Sequence, residues 1–326
     1  MKEQFLYCEM SKVTYRKNEL TVPYLYYKDE KGEEYTTTET DEITYHLLQN
    51  AYREKYMIPF PDEITAIRKR YGLSAIKMAR LLGFGDNQYR LYEDGEMPSL
   101  SNAKMISGAS DINTFKRLID EAGDALSEKE KAKLIKRVEE IQIEEAKKDR
   151  LEELIFRNHP KTKSHFNGYV SLDIEKLRHF ILFFAEQLQG VFETKLNKLL
   201  FYADFSHYKL YAQGISGLRY RAITYGPVPI NYGTIYESLS GLHKDVVETS
   251  NGFIGSIIYA DSSFNPSLFT EEELEIMQLV LNKFKHTSAV KISNESHKEK
   301  AWLDNEGNHS IIDYSYAFQI NHILTE

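Results

Sequence analysis

Cysteine is almost missing from this chain. Cys8 stands alone among 326 residues, which excludes an intramolecular disulfide and points to a reducing compartment. It equally excludes a zinc ribbon, which needs four soft ligands. No apolar run reaches the ~18 residues that a membrane span requires. The opening residues MKEQFLYCEMSK carry acids where a secretory signal would be apolar. Phosphate-cradling and nucleophile motifs are absent too: there is no G-x-x-x-x-G-K-[ST], no G-x-G-x-x-G, no G-x-S-x-G and no H-E-x-x-H. Gly83-Phe84-Gly85 runs into Asp86 and Asn87 without a third glycine. The ten histidines put no two on one helix turn. No cofactor or metal is expected. Nothing positive marks an enzyme, although carboxylate sites leave no compact signature.

The chain is long enough for a buried core without staples, and about 150 residues per domain gives two domains or slightly more. Lys plus Arg is 41 and Asp plus Glu is 49, so the net charge is −8, and any nucleic-acid footprint must be local. A mean hydropathy of −0.49 with 28 % charged residues suits a cytoplasmic protein with no membrane partner.

Four segments follow from the pattern. Residues 1–58 read as a small strand domain, with strands over Lys12–Tyr15 and Leu20–Tyr27, turns at Lys17-Asn18 and Lys28–Gly32, and a returning strand at Glu33–Thr37. A helix over Asp41–Tyr56 closes it, with Tyr45, Leu48, Tyr52 and Tyr56 as the buried stripe. Residues 59–120 read as a helix-turn-helix bundle. Pro61 opens a helix with Ile64 and Ile67 inside and Gly72 after its end. Ser74 caps a second helix carrying Ile76, Ala79, Leu81 and Leu82. The Gly83–Gly85 turn leads to a third helix, Gln88–Glu93, with Leu91 and Tyr92 inward, and Pro98-Ser99-Leu100 begins a fourth.

A short second helix held proud by a glycine turn can place its first side chains against base edges. Asn87 and Gln88 carry amides suited to adenine, and Arg90 suits guanine or phosphate. Lys77, Arg80 and Arg68 are candidates for phosphate contacts. The alternative is a helical subdomain with polar turn residues. The balanced local charge implies modest affinity per monomer, so DNA binding calls for a homodimer on half-sites roughly 34 Å apart.

Residues 121–165 read as a charged helical linker, capped by Ser127…Glu130, with a thin stripe of Leu134, Val138 and Ile141. That stripe suits either a solvated linker that packs lightly or a dimer seam. Asn158-His159-Pro160 breaks the pattern.

Residues 166–326 read as a helical domain with a β-hairpin. Helices are expected over Asp173–Gln189, Thr194–Gln213 (Leu210 inward), Asn231–Leu239 and Thr270–Lys285, the last opened by a Thr270…Glu273 capping box. Leu218–Tyr225 reads as a strand, and Asn251-Gly252 as a type I′ turn between two more. Ser296…Glu299 reads as the cap of a last helix bearing Trp302. The fold class is therefore α+β, mainly helical.

Two resemblances add to this. The run LSAIKMARLLGFGDNQYRLYEDGEMPSLSNAKMI resembles the XRE-type helix-turn-helix. With the strand segment before it, the arrangement resembles MqsA-type antitoxins, whose zinc-binding cysteines are replaced here by lysines around Lys28–Glu33. Asn87 matches the DNA-contacting asparagine of that family, while Leu91 stands where the family has an arginine. Further on, KLNKLLFYADFSHYKLYAQGISGLRYRAITYGPVP and SNESHKEKAW together resemble the Panacea (SocA-like) antitoxin domain.

The resemblance implies a type II antitoxin. It would bind a cognate toxin through this domain and operator DNA through the helix-turn-helix. The alternatives are an adaptor that delivers the toxin to an ATP-dependent protease, and a plain transcription regulator. Tyr225, Pro227, Pro229, Tyr232, Tyr236, His297 and Trp302 are the candidate toxin contacts. Tyr202, Tyr208 and Tyr211 are further aromatics suited to an interface. Tyr225-Gly226-Pro227 reads as a rigid turn, either a toxin-facing loop or a structural corner.

Overall fold

A computed structural model describes residues 6–146, 150–248, 252 and 254–320, although side chains are not described for 146–152. The fold is α+β. Strands β1 (Tyr7–Tyr15), β2 (Asn18–Lys28) and β3 (Glu34–Tyr35) form an antiparallel sheet in the order β1-β2-β3. Tyr15 pairs with Asn18, so Arg16 and Lys17 make a two-residue turn with φ of +47° and +64°. This is the geometry that normally recruits Asn-Gly. Helix α1 (Thr38–Tyr56) follows. Its buried face is Leu47, Leu48 and Tyr52, and Tyr45 is half in solvent, packing edge-on to Tyr15.

Helices α2 (Pro61–Arg70), α3 (Ala75–Leu81), α4 (Gln88–Glu93), α5 (Leu100–Gly108), α6 (Ile112–Asp120) and α7 (Glu128–Ala146) come next. They are followed by α8 (Arg150–Asn158), α9 (Ile174–Gln187), β4 (Val191–Phe192) and α10 (Glu193–Tyr211). Then come β5 (Tyr220–Ile223), β6 (Gly226–Pro229), α11 (Tyr232–Ser238), β7 (Leu242–Glu248) and β8 (Ile254–Ala260), and last α12 (Glu271–Phe284), α13 (Ala289–Ser296) and α14 (Lys300–Leu303). A 3-10 stretch, Tyr314–Gln319, ends the described chain. Strands β4, β8 and β7 form one antiparallel sheet and β5–β6 a separate hairpin. The expected turn at Asn251 lies outside the described residues. The two strands pair as far as Glu248 with Ile254.

The contacts group the chain into two compact units, 1–51 with 150–326, and 52–149. The expected division had four segments. In the discontinuous unit, Asn50 at the end of the amino-terminal segment donates to the Ala212 carbonyl at 2.9 Å, behind the last turn of α10. Nearly all of α10 is buried, as is the inner length of α9. A helix buried on every side lies at the centre of a core, and this one carries Asn197, Lys198 and Asp204 into it.

In the other unit, one cluster joins Ile64, Met78, Ala79, Leu82, Tyr89, Tyr92, Ile106 and Phe115 to Leu126, Leu134, Val138 and Ile141. The last three belong to α7. The charged helix is therefore a structural member of this bundle, neither a lightly packed linker nor a free seam, because its apolar stripe is consumed inside. The cap foreseen at Ser74 forms, and Ser99, at the expected start of the fourth helix, also proves to be a cap, each accepting from the backbone three residues on. Ile76 and Leu91, expected inside, are exposed. The inner stripes run through Met78, Ala79 and Leu82 and through Tyr89 and Tyr92, leaving both residues out of phase.

The final helices also differ from expectation. Ser296 ends α13, its hydroxyl donating to the Ser293 carbonyl at 2.7 Å, so it caps no following helix. Leu210, in the last turn of α10, is exposed.

Candidate functional site

Helix α10 is the platform of the site. Asp204, fully buried, accepts from the Ile215 and Ser216 amides at 2.7 and 2.8 Å, from the Ser216 hydroxyl, and from Tyr220 Oη at 2.6 Å. Burial pushes its carboxyl pKa up, and the hydroxyl and amide donors pull it back. This knot fixes the loop leading into β5. On the same helix Asn197 accepts from Tyr236 Oη at 2.6 Å, and Tyr202 Oη donates to buried Glu299 at 3.3 Å.

Strands β5 and β6 pair from Tyr220↔Pro229 to Ile223↔Gly226, leaving Thr224 and Tyr225 as a two-residue tip. The expected rigid turn is thus the tip of a hairpin, and Gly226-Pro227-Val228-Pro229 is its return strand. The base is closed by His159. Its Nε2–H donates to the Ile230 carbonyl at 2.7 Å, and Nδ1 accepts from the Arg219 amide at 3.0 Å. The acceptor role of Nδ1 requires the neutral ring, and burial pushes its pKa down to about 4 against the opposing Ile230 bond.

Protonation then favours the unfolded chain, where histidine titrates near 6.5. Stability is fully present above that pH and is lost as pH falls toward 4, by roughly 3 kcal/mol over the window. The check is an NMR titration of the His159 ring alongside urea unfolding at several pH values. A ring that titrates at 6.5 in the folded protein contradicts the latch.

The tip is braced from α13 and α14. Ser293 Oγ donates to the Tyr225 carbonyl at 3.0 Å, and Trp302 Nε1 to the Ile223 carbonyl at 2.7 Å. His297 stacks on Trp302, with ring centres 4.2 Å apart and 22° between planes. Gly226 adopts φ +100°, and a Cβ there would lie 2.5 Å from Ser296 Oγ and 2.6 Å from Lys198 Cε. Only glycine fits. The two separated motifs of the sequence, Tyr-Gly-Pro and Ser-Asn-Glu-Ser-His, therefore meet at one place.

Beneath Gly226 lies Lys198, with no exposed surface and no hydrogen-bond partner for Nζ. Burial pushes its pKa down to about 7. Burial, then the charge of Lys198, lowers the His297 pKa, and a hydrogen bond of its ring to the Tyr225 backbone opposes the shift, while Nε2 is buried with no partner among the described residues.

Of the expected contact residues, Tyr225 is 69 % exposed. Tyr232, His297 and Trp302 are half-buried. Pro227, Pro229 and Tyr236 are buried, as are Tyr202 and Tyr208, so they serve the core and present no surface to a partner. Sequence reasoning missed Lys198, Asp204, Ser293 and Ser296. The one signal for the first two was a charged residue inside a run otherwise fit for a core.

In the helical bundle, Asn87 is exposed at the start of α4 and makes no cap bond with its side chain. Gln88 is half-buried, with Nε2 3.4 Å from Glu96. The cations are engaged: Arg90 with Asp94 at 3.6 Å, Lys77 with Glu130 at 2.9 Å, and Arg80 with both oxygens of Asp86 at 2.8 and 2.7 Å. Arg68, expected on phosphate, instead forms a half-buried fork with Glu93 and donates to the Leu73 carbonyl. Among the described residues no cluster of His, Cys, Asp or Glu could hold a metal ion. Among the described residues no helix is long and apolar enough to cross a membrane.

These features define an α+β chain with a braced hairpin as its distinctive surface. Residues 196–303 match the family described as antitoxin SocA-like, Panacea domain. The match covers a third of the chain and encloses Lys198, the hairpin, His297 and Trp302. No curated protein and no solved structure matches the chain.

Proposed function

We propose that this protein is the antitoxin of a toxin–antitoxin pair, binding its cognate toxin directly through the surface around the β5–β6 hairpin. The observation that supports it most is the coincidence of the antitoxin-like match with the braced tip. Tyr225 stands in solvent there on a support that leaves it few conformations, and a preorganised aromatic loses little entropy on binding. Co-expression with the product of the adjacent reading frame is the test. Growth arrest relieved by the full chain is the expected result, and arrest that persists in its presence overturns the reading.

In the same proposal the 52–149 unit binds operator DNA as a helix-turn-helix, with α4 entering the major groove and Asn87, Gln88 and Arg90 facing the bases. Lys77 and Arg80 would reach phosphate only by leaving Glu130 and Asp86, which favours weak binding per copy. Linkage then makes toxin occupancy and DNA affinity reciprocal, so the chain regulates its own operon. Asn87→Ala or Arg90→Ala is expected to weaken specific binding by roughly 1–3 kcal/mol and to relax base preference. Unchanged affinity and preference in a mobility-shift titration would remove α4 from the interface.

A further inference from the structure

A cleft of about 1020 Å³ opens inside the discontinuous unit, walled by β1, β2, α1, the end of α10, the α13–α14 corner and the final 3-10 stretch. Small-molecule sites occupy roughly 300–1,000 Å³. Three cations line it: Lys209 in the last turn of α10, Lys298 after α13 and Lys300 at the start of α14. Lys298 is tied to Glu295 at 3.0 Å. Lys209 and Lys300 have no hydrogen bond or ion pair among the described residues. Both stand near the Cys8 sulfur. Burial pushes that thiol pKa up to about 11, Glu9 adds to the rise, and the charges of Lys209 and Lys300 oppose it. Lys209 is itself half-buried, and burial lowers its pKa against the charge of Glu299. Glu299 is buried and engaged with Tyr202 Oη. A desolvated ammonium with no bonded counter-ion suits an arriving anion.

The wall from β2 and α1 has other chemistry. Tyr27, Glu39 and Glu42 line it. Burial, then the charge of Glu39, raises the Tyr27 pKa, so that carboxylate stands beside the phenol. Cys8 pairs with Leu25, which puts Cys8, Leu25 and Tyr27 on one face of the β1–β2 ladder. A second lining ring, Tyr211, is 40 % exposed. The cleft thus offers cations, aromatic faces and carboxylate acceptors within one space. A phosphate suits the first, a flat ring the second, and hydroxyl or amine donors the third. A bare inorganic anion would leave most of the volume and both rings unused.

We propose that this cleft binds a small ring-bearing organic phosphate, a nucleotide by chemical class, with its phosphate at Lys209 and Lys300 and its ring against Tyr27. The site goes beyond the antitoxin reading and stands independently of it. A ligand held there touches both the amino-terminal sheet and α10, so it stabilises the discontinuous unit in proportion to its occupancy.

Cys8 is the single cysteine of the chain and lies in the cleft wall, so its alkylation reads occupancy directly. The full native chain is treated with N-ethylmaleimide and the adduct followed by intact mass. The ribonucleoside monophosphates AMP, GMP, CMP and UMP are added in turn, with inorganic phosphate as the comparison. At least one nucleotide is expected to slow alkylation saturably, by roughly tenfold, and inorganic phosphate far less. No slowing by any of the nucleotides overturns the proposal. Equal slowing by inorganic phosphate overturns the ring-bearing ligand. Lys209→Met keeps the packing of the stem and removes the charge, and its rates with and without nucleotide are expected to coincide. Undiminished protection in a folded Lys209→Met overturns the phosphate seat. Should Lys209→Met not fold, Lys300→Met at an exposed position decides by the same comparison.

Discussion

Asp204→Ala is expected to unfold the discontinuous unit, or to destabilise it by at least about 4 kcal/mol. Its carboxylate accepts from the Ile215 and Ser216 amides and also holds the Ser216 and Tyr220 hydroxyls. Alanine leaves these donors facing a dry cavity. Each buried unsatisfied group costs about 1–3 kcal/mol, and hydroxyls that rotate to new acceptors recover part of this. The loss also frees the loop that leads into β5, and with it the hairpin that carries Tyr225.

Asp204→Asn separates hydrogen bonding from packing. Its Oδ1 still accepts both amides, and its own NH2 faces hydroxyls that can turn to accept. A milder loss is expected, about half that of alanine. Urea unfolding followed by far-UV circular dichroism measures both. If alanine and asparagine cost the same, or alanine costs little, the knot is not what secures the loop.

Much of the local structure was legible because its causes are local. The cap at Ser74 and the Thr270…Glu273 box each act within three residues. The α2–α5 succession is written in stops and caps. What the sequence pattern did not carry is the destination of each apolar face. Leu134, Val138 and Ile141 have the same spacing whether they meet solvent-side partners, a second copy or their own bundle.

The same limit hid the residues that support the hairpin. In α10 nearly every position is buried, so no periodic contrast singles out Lys198 or Asp204 from the leucines and tyrosines beside them. Nor does spacing reveal that Ser293 and Trp302 reach back some seventy to eighty residues to the backbone of the hairpin. The antitoxin resemblance named the right two stretches. It did not say that they touch, nor that most of the prolines and tyrosines in them face inward.

Val138→Asp on α7 is expected to unfold the helical bundle, whereas Ile143→Asp five residues on is expected to leave it unchanged within about 0.5 kcal/mol. Val138 has no exposed surface and sits in the cluster with Leu134 and Ile141, while Ile143 is 58 % exposed. An aspartate at 138 loses about 1.5–3 kcal/mol of apolar burial and adds the desolvation of a carboxylate that has no cation in the cluster. The sum rivals the whole stability of a small domain, about 5–15 kcal/mol. The contrast decides among three views of the same charged sequence. A solvated linker tolerates aspartate at either position, and a dimer seam loses association without losing the fold. A bundle member fails at 138 alone. Hydrogen exchange at the Met78, Tyr89 and Ile106 amides, measured in the full chain, reads the outcome. Protection retained in Val138→Asp would return α7 to the surface and with it the expectation of a free seam.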